Sequence, residues 1–217
     1  MRMIPPNCSP MIDVSASQGP NIDWDRVKAS GIQRVIVECG IGNDTPNELR
    51  AVQVAGAKAA GLIVQLYDFG YALPSDGVHA NRDPVEQAQL FFSEAAALGC
   101  ADRATVLDLE FPKDTDMAKW NESAAGVLEW GLKCLAELER LTGITPWLYA
   151  SKGYLAALNS DAALDLATFP LWLAAWSDSP PAVPGPWTEW TAWQRSNTGI
   201  VDGIDCPVDL SWVLTAA

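Results

Sequence analysis

The sequence predicts an α/β protein, an irregular TIM-like (β/α) barrel of about five βα units followed by three strands with few helices. Three observations carry this. Short β-branched or apolar runs alternate with helical segments through the first 158 residues, which argues for a parallel sheet. From Pro170 onward three more strand-like runs follow, with little room for helices between them. After the first strand stands Ser17-Gln18-Gly19-Pro20, which is neither G-x-G-x-x-G nor a P-loop, so an open doubly wound sheet is the weaker alternative.

The elements follow in order. Met11 to Ser15 is a short strand, and Asp23 is placed to cap a helix that Gly31 ends. Arg34 to Cys39 is β-branched and reads as strand two, followed by a loop over residues 40–44. An alanine-rich helix from Glu48 to Ala60 leads to strand three, Leu62 to Asp68. A polar loop covers Pro74 to Asn81. Asp83-Pro84-Val85-Glu86 then combines an N-cap, a proline at the first helical position and an acid at the third, opening a helix to about Leu98. Strand four is Thr105 to Phe111. A long helix spans roughly Glu122 to Leu141, Ile144 to Ala150 is strand five, and Ser151 caps a short helix through Leu158. Pro170 to Trp176, Thr191 to Arg195 and a short run within Asp205 to Trp212 complete the strands. No repeat or linker divides the chain, so one domain over residues 1–217 is expected.

Composition narrows the function. A formal net charge of −13 with no basic run argues against nucleic acid, whose binding rests on phosphate neutralisation. No apolar run is long enough to span a bilayer, and Met1 to Pro6 carries no apolar leader, so a chain made in the cytoplasm without a signal peptide, and no membrane partner, is expected. The five cysteines are widely spaced without a CxxC pattern and read as free thiols. The one histidine, His79, excludes a His-rich metal site. Six of the ten tryptophans lie between Trp172 and Trp212 among prolines, a pattern that fits core packing and sugar-stacking platforms equally well.

The chemistry sits on strand four. Side chains alternate along a strand, so Asp108 and Glu110 share one face while Leu107 and Leu109 share the other. Two carboxylates among apolar residues are costly to bury. In a barrel they meet the acids that end other strands: Asp13, Glu38, Asp68 and Asp209. Such a ring suits glycoside hydrolysis, in which one carboxylic acid donates a proton and an ionised carboxylate supports the developing cation. It also suits a Mg²⁺ or Mn²⁺ site, but the basic residues that would hold a phosphate are not evident, and acids with aromatics favour the glycosidase.

In this order and spacing the chain resembles family 25 of the glycoside hydrolases, the lysozymes or N-acetylmuramidases. The resemblance runs through Ile12-Asp13-Val14-Ser15, Ile22-Asp23-Trp24, Ala57 to Leu62 and Tyr67-Asp68-Phe69. It continues through Asp108-Leu109-Glu110, Pro146-Trp147-Leu148-Tyr149, Leu171 to Ala174, Trp193-Gln194 and Val208-Asp209-Leu210. It implies cleavage of the β-1,4 bond between N-acetylmuramic acid and N-acetylglucosamine of peptidoglycan, by a monomer that needs no metal or cofactor and acts on the bacterial wall after export or phage release. By that resemblance Glu110 is the general acid, Asp108 holds the 2-acetamido group or the cation, and Asp13 and Asp209 complete the catalytic acids. Tyr67, Asp68, Glu38, Tyr149, Trp176 and Gln194 bind the sugar. The chain departs from the family at Glu38, where a basic residue is usual, and at Asp68, where histidine is common; both make the expected groove more acidic. The alternative is a glycan-binding or virion structural module that has lost turnover.

Overall fold

A computed structural model describes residues 5–43, 45–72, 83–110, 124–157 and 164–215. His79, the polar loop at 74–81, Phe111 and the first residues of the long helix lie outside them. The order is β1 (Cys8–Val14), α1 (Trp24–Ala29), β2 (Arg34–Ile41), β3 (Thr45–Pro46), α2 (Arg50–Ala59), β4 (Ile63–Phe69) and α3 (Pro84–Ala97). It continues with β5 (Val106–Asp108), α4 (Ala124–Thr142), β6 (Trp147–Ser151), α5 (Lys152–Ala157), β7 (Leu171–Ala174), β8 (Ala192–Gly199) and β9 (Val208–Leu214).

The strand order β1-β9-β8-β7-β6-β5-β4-β2 is closed by pairing of β1 with β2, giving an eight-stranded barrel with β3 appended to β2. All eight expected strands are present, and the two-residue β3 is additional. Pairing is parallel from β1 through β2 and β4 to β8, while β9 runs antiparallel to both β8 and β1. The parallel run expected for the βα units holds, and the last strand, for which no direction was expected, is reversed. Only residues 200–207 join β8 to β9, and a parallel connection needs a dozen or more. A hairpin results, and it lengthens β8 beyond its expected end at Arg195 and pulls Cys8 to Pro10 into β1 opposite β9.

Strand parity builds two apolar layers. Ile12, Val35, Val37, Val64, Leu66, Leu107, Leu109, Leu148, Leu171 and Leu173 face outward to the helices. Met11, Ile36, Val106, Tyr149, Trp172, Ala174, Ala192 and Val213 fill the barrel. The capping signals also hold. Asp23 accepts from the Arg26 amide at 3.1 Å, Asp83 from the Val85 and Glu86 amides at 2.9 and 3.0 Å, and Ser151 from the Tyr154 amide at 3.0 Å.

The β8–β9 connection is tied to the start of α1, where the Asp23 amide donates to the Gly203 carbonyl at 2.9 Å. Gly203 has φ +96°, and a Cβ there would lie 2.3 Å from the Asp23 carbonyl oxygen. Gly203→Ala is expected to cost at least about 2 kcal/mol, combining left-handed strain with a backbone clash. Urea denaturation reads this directly, and a midpoint equal to that of the wild type would contradict it.

Candidate active site

Barrel closure brings inward-facing polar residues to one mouth. Asp13 follows Met11 by two on β1, Glu38 follows Ile36 on β2, and Asp108 follows Val106 on β5, so each side chain points inward above an interior apolar residue. Glu110 lies two residues past Asp108, just beyond the strand. Asp209 sits near the start of β9, and because β9 is reversed its start lies at the same mouth as the ends of its neighbours. There Asp209 is the register partner of Asp13.

Asp13, Tyr67, Asp108, Glu110, Tyr149, Trp172, Gln194 and Asp209 line a cavity of about 60 Å³. No lysine, arginine or histidine is among these lining residues. Glu38 adjoins it through a hydrogen bond from the Tyr67 hydroxyl at 3.1 Å. Trp172, which carried no expected role, donates from its indole nitrogen to Ser211 Oγ at 3.1 Å and packs edge-on to Tyr149. The signal for it was parity: Trp172 and Ala174 alternate with Leu171 and Leu173.

Gln194 organises one wall. Its Nε2 donates to Asp209 Oδ2 at 3.1 Å and to both Asp13 oxygens at 3.3 Å. Its Oε1 accepts from the Tyr149 hydroxyl at 3.0 Å and from the Trp176 indole at 3.2 Å. Trp176 lies past the end of β7 and is 62% exposed, so its ring stands at the rim while its nitrogen is held by the buried amide. The tryptophan-rich third thus divides by position: Trp172, Trp187, Trp193 and Trp212 are buried, and Trp176 is presented.

Asp68 does not join this group. It neighbours inward-facing Tyr67 on the same strand, so it points outward and lines a different cavity, against α2 and α3. Glu38 therefore adds its acid beside the groove, while Asp68 lies outside the lining and reaches it only as the last of the charges that raise Asp108.

Crowding of acids in a water-poor mouth governs their protonation. Burial, then Asp209, raises Glu110 to about 7. Burial, then Glu110 and Asp13, pushes Asp108 well up, and no described residue forms a hydrogen bond with Asp108 Oδ1. Burial and then Asp209 push Asp13 well up. Burial also raises its register partner Asp209, an upward shift that the neighbouring Asp13 side chain reduces. Burial also raises Glu38, opposed by the Tyr67 hydrogen bond.

These shifts set the pH dependence of stability. Each folded-state pKa lies above its unfolded value, so the folded protein binds more protons than the unfolded chain between the ordinary carboxylate range and about 7. Stability is then fully present below that range and is lost as pH rises. Glu137, held down to about 2 by Arg140, acts only at lower pH. Tm is expected to fall as pH is raised from about 5 to about 8. A flat or rising Tm across that window would contradict the burial of these acids.

Buried carboxyl groups with raised pKa values and an exposed aromatic ring at the mouth of a closed barrel are an arrangement suited to glycoside hydrolysis. The chain belongs to family 25 of the glycosyl hydrolases, whose sequence model matches residues 12–204. It is 28% identical over 200 residues to lysozyme M1 of Streptomyces globisporus, covering 91% of this chain and 65% of that protein, and so spans just under two thirds of its length. It is 26% identical to the N,O-diacetylmuramidase of a Chalaropsis species, covering 85% of this chain and 86% of that one. The structure superposes on the bacterial lysozyme of Streptomyces coelicolor with a TM-score of 0.82 at 25% identity, covering 96% of this chain and 93% of the other. A family 25 lysozyme from Aspergillus fumigatus shares the fold, with a TM-score of 0.77 at 22% identity and coverage of 95% and 93%.

Proposed function

We propose that this chain is a muramidase that hydrolyses the β-1,4 bond between N-acetylmuramic acid and N-acetylglucosamine in the peptidoglycan of bacterial walls. The observation that carries the reading is Glu110, a carboxylic acid kept protonated up to about pH 7 in a mouth walled by other acids. Glu110 donates its proton to the glycosidic oxygen as the bond breaks. Asp108 lines the pocket, where its carboxyl group accepts the N–H of the 2-acetamido group and aims the acetamido oxygen at the anomeric carbon. The Asp13–Asp209 pair supplies negative charge beside the oxocarbenium-like centre. Trp176 offers an aromatic face to a neighbouring sugar, and Tyr67, Tyr149 and Trp172 shape the floor.

The test is the mass of products released from purified peptidoglycan after borohydride reduction. Reduced muramic acid at the new ends supports the reading. Reduced glucosamine ends, or no release at all, overturn it.

A further inference from the structure

A second cavity, of about 150 Å³, lies on the other side of the sheet from the catalytic mouth. It is enclosed by the ends of β2 and β4, the β3 hairpin, and helices α2 and α3. Tyr67 and Asp68 are adjacent on β4 but serve the two cavities separately, one through each face of the sheet.

Its polar lining is one-sided. Asp68 is 5% exposed, and no hydrogen bond from a described residue reaches its carboxyl group. The Asn43 side-chain oxygen is buried and has no hydrogen-bond partner among the described residues. The cation present, Arg50, is already committed. Its Nε and Nη2 donate to one oxygen of Glu94 at 3.0 and 2.8 Å, and its Nη1 donates to the Asn47 carbonyl at 2.9 Å. Two acids therefore face one base, and that base is already bonded to one of them. Leu90, Phe91 and Pro46 supply apolar wall.

Buried acceptors without donors are costly, and the group that relieves them must donate several hydrogen bonds, accept none and carry positive charge. An ammonium meets all three requirements. A quaternary ammonium has the charge without the donors, and water brings as many acceptors as donors. The volume matches that of a cavity able to hold a molecule of benzene size, so a short aliphatic stem fits beside Phe91. We infer that this cavity is a second ligand site, built for a primary ammonium group on a short aliphatic stem, with Asp68, Asn43 and Glu94 as its acceptors.

The experiment is a titration of the ¹⁵N-labelled protein with n-butylammonium chloride, with tetramethylammonium chloride at equal ionic strength as control. Saturable amide shifts at Cys39, Gly42 and Leu90, absent in the control, are expected. Asp68→Asn keeps the shape of the side chain, and Asn43→Ala removes the free oxygen; each is expected to weaken binding about tenfold, the worth of one charge-assisted hydrogen bond. Leu90→Trp, at a position 40% exposed, narrows the cavity without touching its polar groups, so it keeps the test decisive where a buried variant fails to fold. Leu90→Trp is expected to abolish saturation. Non-saturable shifts, equal shifts with tetramethylammonium, or unchanged affinity in Asp68→Asn or Leu90→Trp would overturn the site and leave a cavity filled by water.

Discussion

Glu110→Gln lowers turnover on peptidoglycan about 1,000-fold, the loss expected for a missing general acid, with little change in KM. Glutamine keeps the size and polarity of the side chain but has no proton to give. In the wild type kcat/KM is expected to fall as pH rises through about 7, where Glu110 of the free enzyme loses its proton. The residual activity of the variant lacks that limb. Stability moves the other way. A carboxyl raised from 4.5 to about 7 by burial is a liability once ionised, so at pH 8 the variant is more stable than the wild type by about 1–3 kcal/mol. Both readouts together separate a proton donor from a residue that merely holds the fold. A variant that clears walls at the wild-type rate would remove Glu110 from the mechanism.

Gln194→Leu is expected to damage both stability and catalysis. The amide is 2% exposed and uses both ends, giving to Asp13 and Asp209 and accepting from Tyr149 and Trp176. Leucine fits the volume but leaves two buried acids without their shared donor and a buried hydroxyl without an acceptor. The expected cost is about 2–4 kcal/mol by urea denaturation. Gln194→Glu discriminates further. It retains acceptors for Tyr149 and Trp176 but sets a third carboxyl against the Asp13–Asp209 pair, so it should match the wild type more closely at pH 5 than at pH 8. Equal losses for both variants at both values would reduce Gln194 to a packing residue.

Much of the barrel was legible because parallel strands announce themselves as short β-branched runs, and their helices carry caps at Asp23 and Asp83. The acids of the mouth were legible for the same reason, since Asp108 and Glu110 are two apart on one strand. Asp68 was misplaced because polarity was weighed without parity. Tyr67 and Asp68 are adjacent, so no single pocket inside the barrel can hold both. Trp172 was passed over in a crowded run of aromatics, although Leu171-Trp172-Leu173-Ala174 alternates faces as plainly as strand four does. The two-residue β3 has too few residues to show a period. The direction of β9 depends on the length of a connection, which pattern reading of single strands does not weigh.

That reversed last strand has a consequence in time. The hydrogen bond from Gln194 to Asp13 joins residues 181 apart in sequence, and Asp13 meets Asp209 only when β9 enters between β1 and β8. Contacts of such long range close large loops and form late in folding. The helices and the parallel strands can assemble around the outer layer while the mouth still lacks a wall. The mouth is complete only where β9 lies between β1 and β8, so a chain that has not closed its barrel lacks the wall in which Asp13 meets Asp209.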